Sequence, residues 1–220
     1  MTVLPNYAGK DAKYFSGARK LFVDSLSPNP DARLLEIGCG NGDTSAYARA
    51  TGKCGWTCGV ELCEAPAIEA RTKLDQVIVG DVEKVALPFA LGTFDVLILS
   101  EVIEHLVDPW KVLAQMRTLM KPGGIVLAGS PNVCHYDVVR TLLKGRWRYE
   151  SKGIFDATHL RWFSPTTYAE LFESAGFKVE FVRAAGPIGK RGLLGNVLTL
   201  GLMPYLFHEQ IFLKARSSHT

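Results

Sequence analysis

The chain lacks long apolar runs and the marks of export. Its 220 residues contain no run of eighteen or more apolar residues, so the sequence predicts no membrane span. The segment from Met1 to Lys20 is polar and has no apolar signal-peptide core. A composition that is 47% hydrophobic and 21% charged is typical of a folded globular domain. We therefore expect a single domain over residues 1–220, located in the cytoplasm.

The chain also lacks a disulfide framework and a metal-binding motif. Its five cysteines are odd in number, and their spacing does not suggest pairing. Cys54, Cys58 and Cys63 lie close together, but they lack the C-x-x-C pairs and nearby histidines of a structural zinc site. We expect reduced thiols beside a buried strand and no metal site.

Neither sign of charge predominates strongly over the whole chain, but the charges are unevenly distributed along it. The formal net charge is +3, whereas residues 140–220 carry 12 Lys and Arg against 6 Asp and Glu. A basic final third could face an anionic substrate or a membrane, and an ordinary solvated surface is the alternative. No dense basic stripe is present, so we do not expect nucleic-acid binding.

Apolar runs alternate with helical patterns along most of the chain. The predicted strands are 33–37, 56–62, 76–79, 94–99, 125–128, 178–182 and 210–214. The predicted helices are 44–50, 65–72, 109–120, 135–144 and one from Ser164 to Gly176. Strands and helices that alternate in this way favour an α/β fold, a parallel sheet with helices on both faces.

A glycine-rich turn between the first strand and its helix is the most informative feature. The stretch from Leu34 to Gly42 reads LLEIGCGNG, and glycines let a backbone turn tightly and approach a ligand. A dinucleotide site would need G-x-G-x-x-G, but Asp43 stands at the last position. Glu36 would repel a pyrophosphate and suits a cationic ligand instead.

Two further acids follow the next two predicted strands. Glu61 ends the second strand, where an acid can accept hydrogen bonds from ribose hydroxyls. Asp81 follows the third strand and can reach an adenine amino group. Three acids at successive strand ends make the glycine-rich turn a specific signal for a cationic nucleoside.

With these motifs, residues 30–130 resemble the class I S-adenosylmethionine-dependent methyltransferases of the ubiquinone-biosynthesis and small-molecule branch. The matching stretches are Leu87–Phe89, Gly92–Val96, Glu101–Pro109 and Leu119–Gly124. The resemblance implies a Rossmann-like, seven-stranded, mostly parallel sheet whose last strand is antiparallel. It also implies an enzyme with S-adenosyl-L-methionine as its cofactor.

The resemblance assigns cofactor-binding roles residue by residue. The glycine turn would surround the methionine and ribose moieties, Leu62 and Val82 would contact adenine beside the two acids, and Ser100 would lie beneath the sulfonium. Residues 1–30 would cover the cofactor, with Tyr14-Phe15 and Arg19 closing over it, unless they only pack the first helix on the surface. The full expected set is Tyr14, Arg19, Glu36, Gly38, Cys39, Gly40, Gly42, Glu61, Leu62, Asp81, Val82, Ser100 and Glu101.

Residues 132–207 are expected to form the acceptor side. Ser130-Pro131-Asn132 and the segment from Gly153 to Phe163 resemble methyltransferases of sugar and cell-surface polysaccharide pathways. In this segment His159 is the predicted general base, with His105 as the alternative, although positioning alone can carry methyl transfer. Asp156, Arg161 and Trp162 are the predicted substrate contacts, or Asp156 and Arg161 form a structural pair.

The expected reaction is methyl transfer to a hydroxyl, and less readily to an amine, of a small molecule. A saccharide or its nucleotide- or lipid-linked precursor is the favoured acceptor. Alternatives are a quinone or other aromatic acceptor, suited to Phe155, Trp162 and Phe163, and a cofactor-binding partner protein without turnover. The apolar stretch 193–207 would pack on the sheet edge, form a homodimer face in place of a monomer, or contact a membrane surface.

Overall fold

The strands and helices of a computed structural model follow the predicted alternation closely. The structure describes residue 10 and residues 12–186, 192–193, 196–197 and 199–218. Its strands are β1 (Arg33–Ile37), β2 (Trp56–Glu61), β3 (Gln76–Val79), β4 (Phe94–Ser100), β5 (Met120–Pro131), β6 (Phe177–Ala184) and β7 (Gln210–Ser217). Its α-helices are α1 (Lys20–Asp24), α2 (Asp43–Ala50), α3 (Glu64–Ala70), α4 (Pro109–Leu119), α5 (Tyr136–Leu143) and α6 (Pro165–Ser174).

All seven strands form one sheet in the order β3-β2-β1-β4-β5-β7-β6. The first five pair in parallel, and β7 lies antiparallel between β5 and β6. The predicted seven-stranded Rossmann-like sheet with an antiparallel last strand is therefore confirmed.

Both faces of the sheet are covered, which explains the continuous apolar strands. Along β4, Val96 and Ile98 pack with one core cluster that includes Phe22 of α1 and Ala48 of α2. Leu97 and its neighbours on the opposite face pack with residues of α4 and α6 in the larger cluster. A strand buried on both sides needs apolar residues at every position, because successive side chains point to opposite faces.

The order of the strands places a crevice beside β1. The chain runs outward from β1 through β2 to β3 and then returns to β4 on the other side of β1. Connections that leave one strand in opposite directions open a gap beyond its carboxyl end, and ligands bind there in open α/β sheets. The glycine-rich turn follows β1 directly and so faces this gap.

The fifth strand is longer than predicted. It begins at Met120, which pairs with Phe94 ahead of an irregularity in the β4–β5 register. Lys121 makes an ion pair with Asp95 at 2.8 Å, which ties this early part of the strand to β4. Residues 120–124 are not predicted as strand because Pro122 and two glycines usually interrupt one.

The apolar stretch 193–207 is largely exposed where the structure describes it. Residues 194, 195 and 198 lie outside the described residues. Leu200 and Leu202 are 85% and 78% exposed, and Leu193 is also exposed. At the end of the stretch, by contrast, Phe207 is half-buried and its ring lies 6.2 Å from that of Tyr136 in α5. Packing on the sheet edge, a homodimer face and a membrane contact all stay predictions. Across the described part of the chain, the helices are too short or too polar to cross a bilayer.

Candidate functional site

A cleft of about 290 Å³ opens at the carboxyl ends of the central strands. Twelve of the thirteen residues expected to bind the cofactor line it, from the N-terminal segment and from the ends of β1, β2, β3 and β4 with the loops that follow them. They are Tyr14, Arg19, Glu36, Gly38, Cys39, Gly40, Glu61, Leu62, Asp81, Val82, Ser100 and Glu101. The structure therefore brings together residues from five separate segments of the chain.

Gly42 is the exception, because it does not line the cleft. It precedes α2 at a φ of 82°, and a Cβ there would lie 3.2 Å from Ala70 and Leu74. This glycine allows close packing of the turn against the end of α3, and its expected contact with the cofactor stays a prediction.

Gly38 and Gly40 form the floor of the glycine turn. Both have left-handed φ angles, 68° and 52°, which residues with a Cβ adopt only with strain. A Cβ on Gly38 would lie 2.5 Å from the side chain of Val102, and one on Gly40 would overlap the carbonyl oxygen of Phe15. The turn is thus held between the β4 loop and the N-terminal segment.

Glu36 lies inside β1 with only 3% of its surface exposed. Its carboxylate accepts hydrogen bonds from the backbone N–H and the hydroxyl of Ser45, at 3.1 and 2.5 Å. Burial raises the pKa of Glu36 to about 7, although the bonds from Ser45 counteract this in part. Near neutral pH this acid is therefore poised to ionise when a cation arrives.

Glu61 is fixed by two backbone amides at the end of β2. Its carboxylate accepts from the N–H of Gly40 at 2.8 Å and from the N–H of Cys63 at 2.9 Å. Burial raises its pKa, and these bonds lower it again in part. Asp81 is more open and accepts from the N–H of Glu83 at 3.0 Å while it pairs with Lys84.

The N-terminal segment lies across the glycine turn. The carbonyl of Phe15 accepts from the N–H of Asn41 at 3.0 Å. The N–H of Gly17 donates to Asp43 at 2.8 Å, just inside α2. These contacts place Tyr14 and Phe15 in the wall of the cleft, as expected for a covering segment. Residues 1–9 and 11 lie outside the described residues.

Glu101 has an unusual backbone at the point where β4 leaves the sheet. Its φ is 56°, a left-handed value that is rare for residues other than glycine and is often found at functional sites. Burial raises the pKa of its carboxyl group, whereas Arg19 and Gln210 lower it. Glu101 therefore interacts both with the N-terminal segment, through Arg19, and with β7, through Gln210.

Residues 153–163, called the strap below, cross the loop that follows β4. The backbone N–H groups of Leu160 and Arg161 donate to the carbonyl of Glu104 at 2.8 and 3.0 Å. The strap brings His159 against His105, with ring centroids 4.8 Å apart. Both histidines line the cleft.

Both histidines are neutral at pH 7. Burial lowers the pKa of His105 to about 4, and the neighbouring His159 lowers it further. Burial also lowers the pKa of His159, although the carbonyl of Ile154 and the charge of Asp156 raise it in part. A lowered pKa makes each ring a weaker base than free imidazole. The general-base role of either histidine stays a prediction.

The expected substrate contacts divide into two groups. Asp156 lines the cleft and forms an ion pair with Lys10, so its expected structural pairing with Arg161 is wrong. The guanidinium of Arg161 donates instead to the carbonyl of Val107. Trp162 packs edge-on against Trp147 at 5.7 Å. Neither Arg161 nor Trp162 lines the cleft, so the structure does not bring them to the site.

Glu104 was not among the predicted site residues. This residue is 1% exposed and lies directly behind the two histidines. One carboxylate oxygen of Glu104 and one ring nitrogen each of His105 and His159 lie within 4.8 Å of one another. Adjacent Glu104 and His105 were visible in the sequence, but the approach of His159 depends on the fold.

The family comparison agrees with this architecture. Residues 11–181 match the family described as "Methyltransferase domain". The chain belongs to this family. The methyltransferase prediction, with S-adenosylmethionine as the cofactor of the family, is confirmed at this level.

Individual relatives are similar at low identity. The ubiquinone biosynthesis O-methyltransferase of Burkholderia pseudomallei is 26% identical over 201 residues, which cover 87% of this chain and 85% of that protein. An uncharacterised transposon protein of Streptomyces fradiae is 28% identical over 120 residues, but the match covers 52% of this chain and 34% of that protein. A solved structure, a SAM-dependent methyltransferase from Archaeoglobus fulgidus, has a TM-score of 0.65 at 20% identity and covers 96% of this chain and all of that one.

Proposed function

We propose that this methyltransferase transfers a methyl group from S-adenosylmethionine to a hydroxyl of a small molecule. The observation that carries the proposal is the cleft at the β1–β4 switch point, which is lined by acids on one side and by a histidine pair on the other. Alignment of donor and acceptor can supply about 7–11 kcal/mol of the barrier to such a displacement. The chain therefore needs chiefly to hold two molecules in line.

The acidic side chains in or after β1, β2 and β3 fit a cationic nucleoside. When bound, S-adenosylmethionine supplies a methyl group activated on a positively charged sulfur. Glu36 is the counter-charge for the ammonium group, and Glu61 accepts hydrogen bonds from the ribose hydroxyls. Asp81, Leu62 and Val82 enclose the adenine. The glycine turn lets this ligand lie against the backbone.

The acceptor lies at the strap side, beside His105 and His159. Asp156 and the histidines give this wall polar character, which supports a saccharide or its nucleotide- or lipid-linked precursor. None of Phe155, Trp162 and Phe163 lines the cleft, so these residues do not support an aromatic acceptor. A quinone-type acceptor is the second candidate, because the Burkholderia relative is named for ubiquinone biosynthesis.

A lipid-linked acceptor is also supported by the surface around α5. Leu142 and Leu143 are 54% and 84% exposed, next to the exposed Arg140 and Lys144. The side chain of Asn132 donates to the carbonyls of Tyr205 and His208, which sets the exposed end of the 193–207 stretch beside this helix. Apolar side chains flanked by basic ones suit contact with an anionic membrane surface. We propose that this apolar surface makes peripheral membrane contact.

A methyl-transfer assay tests the function. Pools of saccharides, nucleotide sugars, polyprenyl-linked sugars and phenolic quinone precursors are offered with radiolabelled S-adenosylmethionine. We expect label in a hydroxyl-bearing product, and His159→Ala to lower turnover by about 10²-fold with cofactor affinity unchanged. The control is His135→Asn, a buried histidine outside the cleft.

The same assay contains the outcomes against the proposal. Binding of the cofactor with no labelled product from any pool favours a partner protein without turnover. Label found only on an amine moves the reaction to N-methylation. Micromolar binding of NAD without binding of S-adenosylmethionine overturns the cofactor assignment.

A further inference from the structure

An ion pair joins the two segments that cover the cleft. The ammonium group of Lys10, in the N-terminal segment, donates to Oδ2 of Asp156 and to the carbonyl of Ser151, both at 2.5 Å. The side chains of Lys10 and Asp156 are 9% and 2% exposed. We propose that Lys10 is a positioning residue, which acts through Asp156 and orders the strap when S-adenosylmethionine binds beneath the N-terminal segment. The acceptor side of the cleft is then completed only after the donor has bound.

The charge of Asp156 makes the strap depend on this pair. Burial raises the pKa of the carboxyl group, but the bonds from Lys10 and Thr158 hold the pKa below its usual value, so the group is ionised at neutral pH. A buried carboxylate that loses its cation is costly, because nothing replaces the lost partner while water is excluded. When the N-terminal segment moves away, the strap must therefore open far enough for water to reach Asp156.

Asp156 in turn shapes the strap. Its Oδ1 accepts from the backbone N–H of Thr158 at 2.9 Å and from the Thr158 hydroxyl at 2.8 Å. The carbonyl of Asp156 accepts from the N–H of His159 at 3.1 Å. Both carboxylate oxygens are thus engaged by the chain itself, which favours a role in positioning over direct contact with an acceptor.

The turn built on Asp156 sets both histidine rings. Nδ1 of His105 lies 3.1 Å from the carbonyl of Thr158, and Nδ1 of His159 lies 3.2 Å from the carbonyl of Ile154. Carbonyl oxygens only accept, so each neutral ring carries its proton on Nδ1 and has its lone pair on Nε2. A shift of the strap would move both carbonyls, and with them the wall of the cleft beside which the acceptor lies.

Lys10 is linked to the cofactor side through the N-terminal segment. Its ammonium group lies 4.6 Å from the ring centroid of Tyr14, and Tyr14 and Phe15 line the cleft. The carbonyl of Phe15 accepts from the N–H of Asn41 in the glycine turn at 3.0 Å. Contacts therefore run from the glycine turn through this segment to the strap.

The coupling must act in both directions. A ligand that stabilises the closed N-terminal segment also stabilises the ion pair, and the ion pair strengthens binding of that ligand by the same factor. Order in the strap and affinity for the cofactor should therefore change together when either partner of the pair is replaced. The coupling rests on the proposed function for the identity of the donor and the acceptor.

Hydrogen–deuterium exchange measured by mass spectrometry tests the coupling without an acceptor. The full chain is compared with and without saturating S-adenosylhomocysteine. In the wild type we expect the product to slow the exchange of the strap amides at least threefold. In Lys10→Met this protection should be lost while residues 38–46 stay protected, and Lys10→Arg should restore it. Lys20→Met is the matched control, because Lys20 is an exposed lysine near the same end of the chain whose ammonium lies over the ring of Tyr47.

Calorimetry with S-adenosylhomocysteine supplies the second measurement. Lys10→Met and Asp156→Asn should each weaken binding by about three- to tenfold. The double variant should bind no more weakly than the weaker single variant, because the two residues contribute one shared interaction.

Three results would overturn the coupling: a wild-type strap that the product does not protect, equal protection in Lys10→Met, or losses of affinity that add up in the double variant. A pair with a merely structural role would speed exchange of the strap by the same factor with and without the product, and so gives the second of these results. A wild type that does not bind S-adenosylhomocysteine overturns the proposed function together with the coupling. Product binding with strap protection that is independent of Lys10 overturns the coupling alone.

Discussion

At the scale of single residues, three acids share one cleft but differ in environment. Glu36 is fully enclosed and bonded to Ser45, Glu61 is held by two backbone amides, and Asp81 is partly open beside Lys84. The environment of an acid decides how much its charge contributes to a ligand. Substitutions at these positions should therefore differ in how much they weaken cofactor binding and in how that effect depends on pH.

Glu61→Ala should weaken S-adenosylmethionine binding by about tenfold or more. Its carboxylate is expected to accept two hydroxyl bonds, and charge-assisted bonds are worth about 1.5–3 kcal/mol. Calorimetric titration measures the change, with Glu64→Ala on the exposed side of α3 as the control. Asp81→Ala should act in the same direction with a smaller effect. An unchanged dissociation constant for Glu61→Ala would remove the ribose assignment.

Cofactor affinity should rise with pH through the titration of Glu36. Because the pKa of Glu36 is about 7 in the free protein, the group is largely protonated at pH 5.5 and must lose its proton to meet an ammonium ion. Affinity should increase up to about tenfold per pH unit below pH 7 and level off above it. Titrations from pH 5.5 to 8 test this, and Glu36→Gln should bind more weakly with the slope reduced.

The same raised pKa also acts on stability, with the opposite sign. The folded state holds the Glu36 proton between about pH 4.5 and pH 7, whereas the unfolded state does not. The stability of the cofactor-free protein should therefore fall as pH rises through this window, and the penalty should persist above it. Each pKa unit corresponds to about 1.4 kcal/mol, so Glu36→Gln should melt higher than the wild type at pH 8. Equal melting temperatures at pH 8 would contradict the raised pKa.

At the scale of elements, the site depends on two segments that lie across the sheet edge. The N-terminal segment covers the glycine turn through Phe15, and the strap covers the loop after β4 through Glu104. Neither segment belongs to the sheet. Each is held against the cleft by a few backbone hydrogen bonds, so the loss of one of them should loosen the segment.

Gly40→Ala should open the N-terminal cover. The added Cβ would overlap the carbonyl of Phe15, in addition to a left-handed strain of about 1 kcal/mol. We expect weaker cofactor binding and faster cleavage of the first 20 residues by limited proteolysis. Gly52→Ala is the matched control, because Gly52 has a φ of 69° and a Cβ added there would meet nothing within 4 Å. Equal behaviour of the two variants would show that strain alone matters.

At the scale of the whole molecule, exposed apolar side chains are concentrated in α5 and in residues 199–205. Soluble domains rarely leave such groups grouped without a partner. The predicted cofactor acids Glu36, Glu61 and Asp81 lie at or after β1, β2 and β3, whereas α5 follows β5 on the other side of β4. Contact at α5 therefore does not have to block the cofactor side of the cleft.

The double variant Leu142→Glu and Leu143→Glu should lose binding to anionic vesicles. Two exposed leucines would be replaced by charges that a phospholipid surface repels. Co-sedimentation with phosphatidylglycerol vesicles measures the effect, and Leu91→Glu, at another exposed leucine, is the control. A wild type that ignores vesicles but elutes as a dimer, and a double variant that elutes as a monomer, would assign this surface to self-association.

The sequence by itself determined the sheet and the positions at which the predicted cofactor residues enter the cleft. β1 and β3 match their predicted bounds, because apolar runs, glycine turns and helix caps are local patterns formed by contiguous residues. Ser164 and Pro165 start α6 as predicted for the same reason. The predicted cofactor residues lie at or near strand ends, and parallel strands bring their carboxyl ends to one edge.

Only the tertiary structure decided which residues of the strap reach the cleft. Whether Arg161 or His159 reaches the cleft depends on how the strap crosses the loop after β4, and no local pattern encodes that crossing. The approach of His159 to Glu104, and the burial that leaves this carboxyl group without a hydrogen bond, are products of the same crossing. Polar residues that are far apart in the chain affect one another strongly only when packing brings them together and excludes water from between them.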